Sequence, residues 1–153
     1  MHDSQKDIRV RGEAGLGLME AIVATLVVII VGSVLLQLAK QGIAAYRLSS
    51  ATSSIAGMLE KARDTAKSMS INVRVIFDAK GNRFGLDRNG NSKLDSIEVE
   101  ELPTGISLSE DAVVVFTKKG DLARGSEPPR INISNNHSTR IVTVSSMGSI
   151  DIE

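Results

Sequence analysis

Residues 15–39 read GLGLMEAIVATLVVIIVGSVLLQLA, and the 19 positions from Ala21 to Ala39 carry no charge. At about 1.5 Å per helical residue this run spans roughly 28 Å, close to the roughly 30 Å hydrocarbon thickness of a bilayer. It reads as one helix able to cross a membrane once, and nothing further along the chain approaches its length. An ordinary secretory signal is the competing reading, because Lys6, Arg9 and Arg11 precede the run. The apolar part of such a signal is usually about 7 to 15 residues, and no A-x-A site stands where this run ends at LAKQGIAAY. With Lys40 and Arg47 close behind, the excess of bases on one flank is weak and orients the span poorly by itself.

Around this segment the chain is ordinary in bulk. Its 153 residues allow one domain with a core of its own, and Lys+Arg 18 against Asp+Glu 18 gives no net charge to attract a polyanion. Aromatics make up 3%, too few for the interleaved rings that stack on single-stranded nucleic acid. Cysteine is absent, which excludes disulfides, thiolate metal sites and cysteine nucleophiles.

The flank before the apolar run, GEAGLGLME at 12–20, is the informative part. Glu20 opens directly into the run, and a carboxylate costs about 2.5 to 3.5 kcal/mol at a membrane helix centre, less near the interface. A carboxylate there calls for a partner. A Gly, a short apolar stretch and a lone Glu five residues after that Gly, ahead of an apolar helix, resemble the N-terminal signal of type IV pilins and of the pseudopilins of type II secretion. The resemblance places Gly15 as the last leader residue. It implies that prepilin peptidase cuts between Gly15 and Leu16, that Leu16 is then N-methylated, and that Glu20 is the family's assembly glutamate, lying near the new amine of an adjacent subunit. Two buried charges that are each costly alone are tolerable as a pair. Leu16 stands where Phe is usual and Gly17 where Thr is common. The implied location is the inner membrane, single-pass, with a periplasmic head, and the implied partners are the peptidase, other pilin or pseudopilin subunits and the membrane itself.

Beyond the run, Leu48, Ala51, Ile55, Met58, Ala62, Ala66 and Met69 recur at spacings of 3 and 4, one apolar stripe on a helix. SSATSS at 49–54 has low helix propensity and could bend the chain, but the stripe runs through it, which favours one continuous helix. After Ser70 the period becomes two. Val73, Val75 and Phe77 lead, followed by Ile106 and Leu108, 112–116, Ile131 and Ile133, and 141–144. Turn signals separate them at AKGN 79–82, NGN 89–91, KKGD 118–121 and Pro128-Pro129. The expected fold is α+β, with a long N-terminal helix whose amphipathic half packs on a small antiparallel sheet. The organisation read from the sequence is leader 1–15, membrane helix 16–39, amphipathic helix 40–69 and β-rich head 70–153. The stretch MLEKARDTAKSMSINVRVIFD at 58–78, with Ala62, Arg63 and Ala66 in an ARxxA-like pattern, resembles the GspH/FimT group of minor pseudopilins.

Residues 87–98, DRNGNSKLDSIE, follow the calcium-loop pattern D-x-[DN]-x-[DN]-G-x₅-E except at the sixth position, where Ser92 replaces Gly. Asp87, Asn89, Asn91, Asp95 and Glu98, with a carbonyl from Lys93, could supply the oxygens that calcium takes. A plain hairpin turn accounts for the same residues, since Asn-Gly alone favours one. Calcium is thus the one candidate cofactor.

No catalytic motif is present: GxSxG, HExxH, P-loop and GxGxxG are all absent, and His137, the only histidine outside the leader, stands in a polar NNHS context. The expectation is a structural subunit of a type II secretion pseudopilus or type IV pilus, not an enzyme. The alternative is a DNA-binding minor pilin of an uptake pilus, since some FimT-like pilins bind DNA through a basic C-terminal strand. Here that tail is MGSIDIE, with Ser149, Asp151 and Glu153, and only Arg124, Arg130 and Arg140 remain to form a patch. A single-pass anchor that displays a ligand-binding head without assembling is a third reading.

Overall fold

In the computed structural model residues 17–87, 90–91, 93–94, 98–123 and 129–153 are described, together with the backbone of helix α1 from Ser4. Helix α1 runs Ser4–Met69 without interruption. By contacts the chain divides into Met1–Gly42 and Ile43–Glu153, so helical residues 43–69 belong to the same compact unit as the strands.

In the first unit α1 is apolar on every side. Its most apolar 18-residue stretch has no buried residue, and from Leu26 to Val31 the side chains are more than half exposed within the chain. The hydroxyls in this stretch are satisfied locally: Thr25 Oγ1 donates to the Ala21 carbonyl at 2.8 Å and Ser33 Oγ to that of Ile30 at 2.7 Å. A helix that is apolar all round and leaves no polar group unpaired is suited to lipid.

In the second unit the helix carries its stripe inward. Leu48, Ala51, Ile55, Met58, Leu59, Ala62 and Ala66 are buried. The SSATSS segment stays helical because tertiary contacts hold it: Thr52 is buried and donates to the Leu48 carbonyl, and the Ser54 hydroxyl donates to the Glu100 carboxylate. Met69, the end of the expected stripe, is 55% exposed, because the helix closes there. Ile71 N–H reaches the Ala66 carbonyl and Ser70 N–H that of Lys67, with Ser70 at φ 54°, the paired hydrogen bonds of a left-handed C-terminal cap.

Eight strands follow among the described residues: β1 (Val73–Asp78), β2 (Arg83–Asp87), β3 (Val99–Glu101), β4 (Ser107–Leu108), β5 (Ala112–Phe116), β6 (Arg130–Ser134), β7 (Thr139–Val144) and β8 (Ile150–Ile152). They form two antiparallel sheets, ordered β3-β2-β1-β5 and β4-β6-β7-β8. The period-two reading expects one sheet, and the division into two is where the structure goes beyond it. Each strand in β1 alternates buried and half-buried residues, and Phe77 stacks on its cross-strand partner Phe84 at 6.0 Å between ring centres. Val73, Val75, Phe84, Val114 and Phe116 from the first sheet, and Ile131, Ile133, Val142 and Val144 from the second, join the helix stripe in one apolar cluster. Leu102 and Ile106, on the segment that crosses between the sheets, complete it.

Candidate functional site

At the start of the chain, Gly15 and Leu16 lie outside the described residues. Glu20 is described, on the exposed surface of α1. Four residues separate it from Leu16, about one helical turn.

The 87–98 loop closes β2 and leads to β3. Asp87, the last residue of β2, is 1% exposed. One of its carboxylate oxygens accepts the Gly90 N–H at 2.8 Å, and the other lies 3.9 Å from the Arg74 guanidinium, which in turn donates to the Gly90 carbonyl at 3.3 Å. Asn91 Oδ1 accepts the Lys93 N–H at 2.8 Å. Glu98 reaches across to Lys61 on α1 at 3.5 Å. Asn89 and Asp95, with Ser92, lie outside the described residues. Among the described residues no group of three acids or histidines is set to hold a metal ion. The described acids of the loop are instead tied to cations and backbone: Asp87 fastens the turn to β1, and Glu98 fastens its far end to the helix.

The ARxxA-like stretch acquires a geometric meaning. Ala62 and Ala66 are fully buried, small enough to seat the helix close to the strands. Arg63 between them donates from Nε to the Gly120 carbonyl at 3.2 Å and from Nη2 to that of Met147 at 3.3 Å. Gly120 lies in the turn after β5 and Met147 in the turn between β7 and β8, so one side chain ties the helix to both sheets. The two turns meet so closely that a Cβ on Gly148 would stand 2.1 Å from the Gly120 oxygen, and Gly148 has φ +79°. Residue spacing alone gave no sign of this junction; the only signal was an arginine framed by alanines.

The residues weighed for nucleic acid do not converge. Arg130 pairs with Thr143 and Arg140 with Ile133 in the β6–β7 ladder. Three positions along a strand put them on opposite faces of the sheet. Arg124 lies outside the described residues. At the C-terminus Asp151 pairs with Thr143, and Ser149 shares a hydrogen bond with Ser145. His137 sits in an exposed turn whose Asn135 does the structural work: its Oδ1 accepts the N–H of His137 and Ser138, and its Nδ2 donates to the Ala44 carbonyl at 3.1 Å.

One concavity of about 830 Å³ opens on the outer face of the first sheet. Ile76, Val99, Leu94 and Val113 give it an apolar floor, and Asp78, Arg83, Lys93, Glu101 and Asp111 its charged rim. Asp78 and Arg83 pair at 2.9 Å. The Gly81 N–H, followed by Arg83, holds the Asp78 carboxyl below the usual aspartate value of 3.8. Asp111 Oδ1 accepts the Ala79 N–H.

No family model and no curated protein sequence matches the chain. Two crystal structures of the type IV minor pilin FimU from Pseudomonas aeruginosa, strain PAO1, do match in three dimensions. One superposes with a TM-score of 0.60 at 19% identity, over 71% of this chain and 90% of FimU; the other gives 0.58 at 19% identity, over 69% and 91%. The chain therefore has the type IV pilin fold, a long N-terminal apolar helix whose second half packs on antiparallel β-structure.

Proposed function

We propose that this chain is a minor, pilin-like structural subunit of a type II secretion pseudopilus or a type IV pilus, and not an enzyme. The observation that carries the reading is an all-apolar, unburied helix segment leading into a head of type IV pilin fold. An exposed apolar helix of that length is stable only in lipid or against other helices, and a fibre offers the second environment after the membrane has offered the first. In this reading prepilin peptidase removes residues 1–15, Leu16 is methylated, residues 16–39 anchor the chain in the inner membrane and the head lies in the periplasm. Glu20 then pairs with the Leu16 amine of a neighbouring subunit and sets the register of assembly.

The experiment is to express the full chain with a prepilin peptidase and pilus or pseudopilus machinery and to follow it into sheared fibres. Glu20→Ala is expected to be cleaved normally and to be lost from the fibre fraction, whereas Gly15→Ala stays at the uncleaved size. Incorporation of Glu20→Ala at the level of the unsubstituted chain sinks the assembly role. Calcium binding by the 87–98 loop is a further part of the proposal, with Asp87, Asn89, Asn91, Asp95, Glu98 and the Lys93 carbonyl as the oxygen set. DNA uptake has weaker support, since the arginines diverge and β8 carries Asp151.

A further inference from the structure

The head is electrically polar along the helix direction. Its Ala44 end is fixed by three contacts: Asn135 to the Ala44 carbonyl, Arg47 to the Thr104 carbonyl and Ser54 to Glu100. Its Met69 end is fixed by Arg63 on Gly120 and Met147 and by the Lys118 N–H on Asn72 Oδ1. β1 starts at the Met69 end and runs toward the Ala44 end. Its register sets Phe77 beside Ala112, Asp78 beside Arg83, and Arg83 beside Glu101. Asp78, Glu101, Glu110 and Asp111 therefore gather at the Ala44 end of the first sheet, around the groove. At the other end Lys67 lies against the 117–120 turn, where a Cβ on Gly120 would stand 2.2 Å from its Cε. Lys118 and Lys119 are exposed on that turn. Beside it Met147 is 80% exposed.

We infer that the groove on the outer face of the first sheet docks the Met69 end of a second copy of this chain, with Met147 entering its apolar floor and Lys67, Lys118 and Lys119 facing its acidic rim. Unbranched, polarizable methionine adapts to an irregular apolar recess better than a branched side chain, and Ile76, Leu94, Val99 and Val113 offer one. The charges set orientation more than strength: exposed pairs contribute little each, and at physiological salt they are felt only within about 8 Å. Two different surfaces of one chain in contact make a head-to-tail interface, which extends into an open helical array when the rotation does not close. The inference rests on the fibre reading and adds to it a contact between heads that is independent of the helix.

The chain has no cysteine, so disulfide trapping reads cleanly in the full-length protein in membranes. Lys119→Cys in one tagged copy and Glu101→Cys in a second copy are expected to cross-link on mild oxidation. Lys67→Glu with Lys118→Glu in the first copy is expected to lower the yield roughly two- to fivefold per pair broken, and Glu110→Lys with Asp111→Lys in the second to restore it. A Val27→Cys pair in the helix reports assembly through the helix separately. Cross-linking at 27 without cross-linking between 119 and 101 overturns the head contact and leaves the fibre reading standing. Absence of both overturns both, and a 119–101 cross-link that ignores charge reversal overturns the electrostatic match.

Discussion

Arg63 is the residue on which the most distant parts of the head depend. Its two hydrogen bonds span 57 and 84 positions of sequence, joining α1 to the turn after β5 and to the turn before β8. Hydrogen bonds from a charged donor contribute about 1.5 to 3 kcal/mol each where buried, and Arg63 is only half-buried, so Arg63→Ala is expected to cost about 1 to 2 kcal/mol in all. The check is thermal unfolding of the detergent-solubilised chain, where that loss lowers Tm by several degrees; an unchanged Tm removes Arg63 from the account. Asp87 makes the second residue-scale test. To take calcium, the loop must draw Asp87 from Arg74 and Glu98 from Lys61, so affinity is expected in the weak range of about 10⁻⁴ to 10⁻³ M. Tm should rise in millimolar calcium and Asp95→Ala should abolish the rise. A flat Tm at 10-fold that range contradicts calcium binding.

At the scale of elements, the helix end is the place where the chain departs from the easiest solution. Ser70 takes the left-handed position of the cap, which costs an L-residue roughly 1 kcal/mol and glycine almost nothing. Ser70→Gly is therefore expected to stabilise the head by about 0.5 to 1 kcal/mol, seen as a higher midpoint in urea at unchanged slope; a lower midpoint shows that the Ser70 side chain has a role the cap does not explain. Periodicity made the long elements legible. The 3–4 stripe from Leu48 to Ala66 and the alternation in Val73, Val75 and Phe77 each follow from one face being buried. β3 and β8 were not legible, since three residues such as VEE or IDI are too short to display a period and exist because neighbouring strands supply hydrogen bonds. The grouping of strands into two sheets was equally hidden, because pairing order is set by which edges meet after folding. At the candidate sites the same limit applies: the carboxylates of the 87–98 loop were visible, but their engagement by Arg74 on β1 and Lys61 on α1 comes from residues distant in sequence.

For the whole molecule, zero net charge and average hydrophobicity conceal two different units. One is a helix segment with no buried residue in its most apolar stretch; the other is a head with a single apolar cluster shared by helix and both sheets. A soluble globule has no use for the first, and a plain membrane anchor does not account for Glu20 at its threshold. Cleavage after Gly15 accounts for both, since the amine it creates gives Glu20 a partner in an adjacent subunit and leaves the apolar helix as the element that passes from lipid into the fibre. The most direct test is intact-mass and N-terminal analysis of the chain recovered from membranes of cells that contain a prepilin peptidase. The account predicts a chain that begins at Leu16, carries one added methyl group on that residue and keeps the whole apolar helix; a chain that still begins at Met1, or one cut after the apolar stretch beyond Ala39, contradicts it.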